Sequence, residues 1–163
     1  MPLINRSAVI ADSYTAWDGI GTPPQGDLIV SSEIALAHAA LFSGRRIGVA
    51  LENTADPLTL LPLMRKLSLI ALSFPSFRDG RAYTQAAILR EAGFAGELRA
   101  TGRVQIDQVL FMARVGFTTF AMAEGASPAA LATALSRYRG FYQRMAGEGP
   151  TRVARDASIE AAA

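Results

Sequence analysis

A single α/β domain with about five βα units is the fold this sequence predicts, on three observations. From Asp27 onward, short apolar runs rich in β-branched residues alternate with helix-period segments. The runs begin about 20 to 30 residues apart, enough for a helix of about ten residues and tight turns. The 163 residues, 50% hydrophobic and 18% charged, are one domain's worth of core. The sheet should be mainly parallel. An open, doubly wound sheet is expected, with a barrel-like arc as the alternative, because five units fall short of the eight that close a barrel.

The strands are expected at 28–31, 47–52, 69–74, 97–101 and 118–123. Those at 47–52 and 69–74 are apolar on both faces, as central strands should be. The strand at 97–101 instead puts Glu97, Arg99 and Thr101 on one side, which means an uncovered face in an open sheet or a polar interior in an arc. Asp56-Pro57 and Ser127-Pro128 each place a capping side chain before a proline at the first helical position. Asp79 is expected to cap a helix burying Ala82, Ala86 and Leu89, and Ile106, Val109, Leu110 and Ala113 form the stripe of the next. Gly44, Gly93 and Gly116 stand where left-handed caps belong. Pro62 should break or kink the first of these helices, and Gly140 should weaken the last.

Gly93-Phe94 followed by Gly102 repeats the spacing of Gly116-Phe117 followed by Gly125, marking the same joint between a helix and its next strand. The chain divides into three parts: 1–26, one or two short strands and a turn-rich linker; 27–145, the α/β domain; and 146–163, a flexible tail.

Composition excludes several chemistries. Without cysteine there is no disulfide, thiolate metal site or thiol nucleophile. Sixteen basic and fourteen acidic side chains give a net charge of +2, a poor footprint for nucleic acid. Residues 1–10 lack the pattern of a secretory signal, and no apolar span of about 18 residues occurs. A soluble, cytoplasmic protein with no membrane or nucleic-acid partner is expected. His38, the one histidine, lies among alanines and leucines and reads as a packing residue. No metal site and no nucleotide fingerprint stands out.

Ligands of parallel sheets bind beyond the carboxyl ends of the strands. That edge should gather Asn53, Asp56, Ser76, Arg78, Asp79, Arg81, Arg103, Asp107 and Glu124. Arginines beside helix amino ends favour a small oxyanion, although the same residues also suit ordinary exposed ion pairs. Asp79 and Asp107 are the candidates for acid-base work. Trp17, Tyr83, Tyr138 and Tyr142 could flank a flavin, yet such rings more often pack; no cofactor is evident.

The stretch Phe74-Pro75-Ser76-Phe77-Arg78-Asp79-Gly80-Arg81-Ala82-Tyr83-Thr84-Gln85 resembles a bacterial family, domain of unknown function 934. The likeness continues through Gly96-Glu97-Leu98-Arg99-Ala100, Gly102, Val104, Asp107-Gln108, Met112, Arg114 and Gly116-Phe117, covering about 46–120. The resemblance implies a role beside a sirohaem-dependent sulfite or nitrite reductase in sulfur assimilation, and an oxidoreductase association. It supplies no catalytic residues. Relatives often carry a lysine at the place of Ser76 and a cysteine at that of Val115, so a shared thiol mechanism does not extend to this chain. For an accessory protein that docks on the reductase, the segments from Asp79 to Gln85 and from Arg99 to Gln108 are the expected contact, with Arg78, Arg81, Tyr83, Gln85, Arg99, Arg103 and Gln108 as the anion-binding or partner-binding residues. The alternatives are a small oxidoreductase or flavin-binding carrier, and a small enzyme acting on an anionic metabolite.

Overall fold

A computed structural model describes residues 1–39 and 44–137. The chain folds as a mixed α/β structure on one eight-stranded sheet. Its strands are β1 (Leu3–Asn5), β2 (Val9–Ile10), β3 (Tyr14–Ala16), β4 (Asp27–Ser31), β5 (Ile47–Leu51), β6 (Leu67–Phe74), β7 (Glu97–Val104) and β8 (Thr119–Met122). The helices are α1 (Ser32–Ala37), α2 (Arg81–Glu91), α3 (Val109–Arg114) and α4 (Pro128–Ser136). No helix among the described residues is long and apolar enough to cross a membrane. Gly140, Tyr138, Tyr142 and the expected tail at 146–163 lie outside the described residues.

The strand order is β2-β1-β8-β7-β6-β5-β4-β3. From β3 to β8 each strand pairs in parallel with the next in sequence, while β1 runs antiparallel to both β2 and β8. A doubly wound sheet reverses its order at a central switch point, and this one never does. The doubly wound expectation is therefore corrected in favour of the arc. Every crossover steps one strand over in the same direction, so the sheet curls into a half-barrel.

Chain length sets how far it curls. Only residues 11–13 join β2 at one edge to β3 at the other, a reach of at most ~14 Å. Eight strands laid flat would hold those edges roughly 33 Å apart. The first 26 residues thus supply three strands at both edges of the sheet rather than an appendage to it.

Burial alternates accordingly. Leu28, Val30, Val49, Leu72, Leu98, Ala100 and Phe120 belong to one core cluster that also takes Ala82, Ala86 and Leu89 of α2 and Val109 and Met112 of α3. Glu97, Arg99 and Thr101 alternate with Leu98 and Ala100 and so occupy the inner face. There Arg99 donates to Glu97 and to Asp12, each at 2.9 Å. The Thr119 hydroxyl donates to Glu97 at 2.6 Å. The Tyr14 hydroxyl meets that of Ser68 at 2.9 Å. The Tyr14 ring has the guanidinium groups of Arg46 and Arg99 each 5.5 Å from its centroid. Asp27 holds Arg46 in turn. These groups tie the amino ends of the strands together.

The repeated Gly-Phe pairs have one cause. Each glycine has positive φ, +91° at Gly93 and +104° at Gly116. Phe94 then donates to the Leu89 carbonyl and Phe117 to that of Met112, two matching helix ends that turn an aromatic ring into the core. Arg90 links them, its guanidinium donating to Gly116 at 2.7 Å and to Gly96 at 2.9 Å.

Other expectations shift. Ser127 caps α4 through Ala130 as expected. Asp56 also caps, accepting from Leu58, but it opens a 3-10 helix over Pro57–Leu63, because Pro62 has no amide for an α-helical ladder. Gly80, not Asp79, is the cap residue of α2, and it offers no side chain. Ile106 precedes α3 and is 38% exposed, so it leaves the buried stripe that Val109, Leu110 and Ala113 complete. His38 ends α1 with its ring edge-on to Trp17 at 5.5 Å.

Candidate functional site at the carboxyl rim

Phe74 of β6 lies opposite Gly102 of β7, so the loops after these strands leave from neighbouring points of one edge. Arg81 and Arg103 therefore share a rim, as do Asp79 and Asp107. The β6 loop carries Ser76, Phe77, Arg78 and Asp79 into α2; the β7 end carries Arg103 and leads through Asp107 and Gln108 into α3. Gln108 reaches the Phe77 carbonyl at 3.4 Å, a long contact between the two loops.

Asp79 is already engaged. Its carboxylate accepts from the Arg81 amide at 3.2 Å and from the Arg81 guanidinium at 3.0 and 2.6 Å. The Arg81 side chain holds this carboxyl at about 2, against partial desolvation, with the Arg81 amide and Asn53 adding to the effect. A group ionised so firmly is a poor proton donor near neutral pH. The same pairing raises the Arg81 guanidinium further. The amino end of α2 thus has a carboxylate of its own in the place offered to an oxyanion.

Three neighbours brace the loop. Asn53 donates to the Ser73 carbonyl at 3.1 Å. Gln85, 4% exposed, donates to the carbonyls of Glu52 and Ala55, both at 2.9 Å. Tyr83 stacks edge-on with Phe74 at 5.2 Å, and burial, then the charge of Asp107, pushes its hydroxyl upward. Gln85 is therefore spent on backbone beneath the site, while Tyr83 is only part-buried against Phe74.

Arg99 is the clearest correction. It is 5% exposed, on the inner face near the amino end of β7, and bound to two carboxylates, so it cannot contact a partner at this rim. Period-two alternation fixes its face, and its place early in the strand fixes its end. Arg78 and Arg103 remain exposed and make no ion pair among the described residues. Phe77, 52% exposed, stands beside Arg78. Sequence reasoning passed over Phe77, although an aromatic residue between a proline and an arginine in a loop is a visible signal.

The rim offers two guanidiniums without an ion pair among the described residues and one aromatic ring on neighbouring loops, which is recognition chemistry. Trp17, considered for a flavin, is 7% exposed and donates to the Ile20 carbonyl. Among the described residues no group of three or more His, Cys, Asp or Glu side chains is placed to hold a metal ion.

Residues 48–152 match the model of a bacterial protein family of unknown function, DUF934. The chain belongs to this family. No curated protein and no solved structure matches it. The DUF934 span begins inside β5 and takes in both rim loops, whereas Asp12, Tyr14, Asp27 and Arg46 of the inner network precede it.

Proposed function

We propose that this DUF934 chain is a cytoplasmic accessory protein of assimilatory sulfite reduction. It docks on a sirohaem sulfite or nitrite reductase through its carboxyl rim, and supports the electron supply or the active form of that enzyme. The run of βα units, read as mainly parallel and five in number, serves as the scaffold that gathers their loops at one edge.

One observation carries the choice of docking over turnover. At the rim Asp79 and Arg81 satisfy each other, while Arg78, Phe77 and Arg103 stand in solvent. Exposed arginine and aromatic side chains are the residue types that anchor protein contacts. The arginines would meet acidic groups of the reductase, and an anion would compete for the same positions.

A deletion strain tests the role in the cell. It should grow on sulfide and fail on sulfate and on sulfite. Normal growth on sulfate, in a strain without a second copy of the gene, contradicts the reading.

A further inference from the structure

A surface that begins at the rim with Asp107 and runs away from it down α3 and α4 has no role in that reading. Between α3 and α4 runs a groove of about 580 Å³, floored by Leu110 and Ala134. Ile106 and Phe111 line it with 38% and 55% of their surface in solvent. Single exposed apolar side chains are common; here two share one concavity beside Leu110.

Charge divides this groove. Its two helices come after the parallel neighbours β7 and β8, so both start at the rim. Asp107, just before α3, marks the rim end. Arg137 stands one residue past the end of α4, about 14 Å down that helix. Neither makes an ion pair among the described residues.

We propose that the occupant of this groove is a second copy of the chain, placed by a two-fold axis. A surface with a negative head, an apolar middle and a positive foot complements itself in that arrangement. The antiparallel placement sets each Asp107 opposite an Arg137 and brings the two Phe111 rings together near the axis. A parallel placement would oppose like charges.

Light scattering on the full-length protein, from micromolar to millimolar concentration, tests this. The unaltered chain should reach the mass of two chains. Phe111→Glu should raise the dissociation constant at least about tenfold. Asp107→Arg alone should weaken association, and adding Arg137→Asp should restore it, with circular dichroism unchanged throughout. A single-chain mass at every concentration overturns the proposal and leaves the groove to a foreign partner. Persistence of the pair in Phe111→Glu overturns it, and so does a double exchange that fails to restore association.

Discussion

Arg99 and Asp12 stand 87 residues apart in sequence, and a 2.9 Å hydrogen bond joins them across the inner face of the curled sheet. The guanidinium is almost wholly buried, whereas the Asp12 side chain is about half exposed. Removing the cation should cost far more than removing that carboxylate. Arg99→Ala strands Glu97 and Asp12 together and should cost about 3 kcal/mol, against about 1 kcal/mol for Asp12→Ala. Urea unfolding at neutral pH measures both, and equal costs would contradict the account of the inner face.

Acid titration should single out Asp79. Its carboxyl is lowered from 3.8 to about 2, chiefly by Arg81. A folded-state value below the unfolded one contributes stability that is present above about 3.8 and is lost as pH falls toward 2. Carboxyl-detected NMR should therefore follow Asp79 to a midpoint near 2 in the native protein. In Arg81→Gln the midpoint should return toward 3.8.

Two glycines should respond unequally to alanine. Gly93 and Gly102 both have positive φ, +91° and +84°. A Cβ at Gly93 meets nothing within 4 Å, but at Gly102 it would come within 2.5 Å of the Phe74 carbonyl oxygen on the neighbouring strand. Gly93→Ala should cost about 1 kcal/mol for its backbone conformation alone. Gly102→Ala adds a backbone clash and should cost at least about 3 kcal/mol, read from the shift in unfolding midpoint.

The amide of Gln85 offers a third stability test. It serves two backbone carbonyls of the segment after β5. Gln85→Leu keeps most of the volume but takes the side-chain donor from the Ala55 carbonyl and one of two donors from the Glu52 carbonyl, which keeps the Ala55 amide at 3.0 Å. It should cost about 2 kcal/mol, and amide exchange should quicken around Ala55.

Much of the framework was legible because it rests on local chemistry. The strand at 47–52 appears as β5, and Ser127-Pro128 opens α4, since both signals act within a few residues. Long-range features were harder. Strands β1, β2 and β3 have three, two and three residues, too short for any period to register. Their places at both edges depend on pairing with partners far along the chain. At the rim, Arg78, Asp79 and Arg81 are neighbours in sequence, but that proximity does not tell that Asp79 pairs with Arg81 and not with Arg78. Arg99 shows the same gap: its alternation was visible, while its two carboxylate partners depend on how far the sheet curls.

Direct binding between the purified chain and a sirohaem sulfite reductase, followed by calorimetry at low and high salt, bears most closely on the proposed role. A complex should form at low salt and weaken as salt screens the rim. Combining Arg78→Glu with Arg103→Glu should weaken it at least about tenfold without moving the unfolding midpoint. No complex at low salt, or one indifferent to both charge reversals, would contradict docking through this rim.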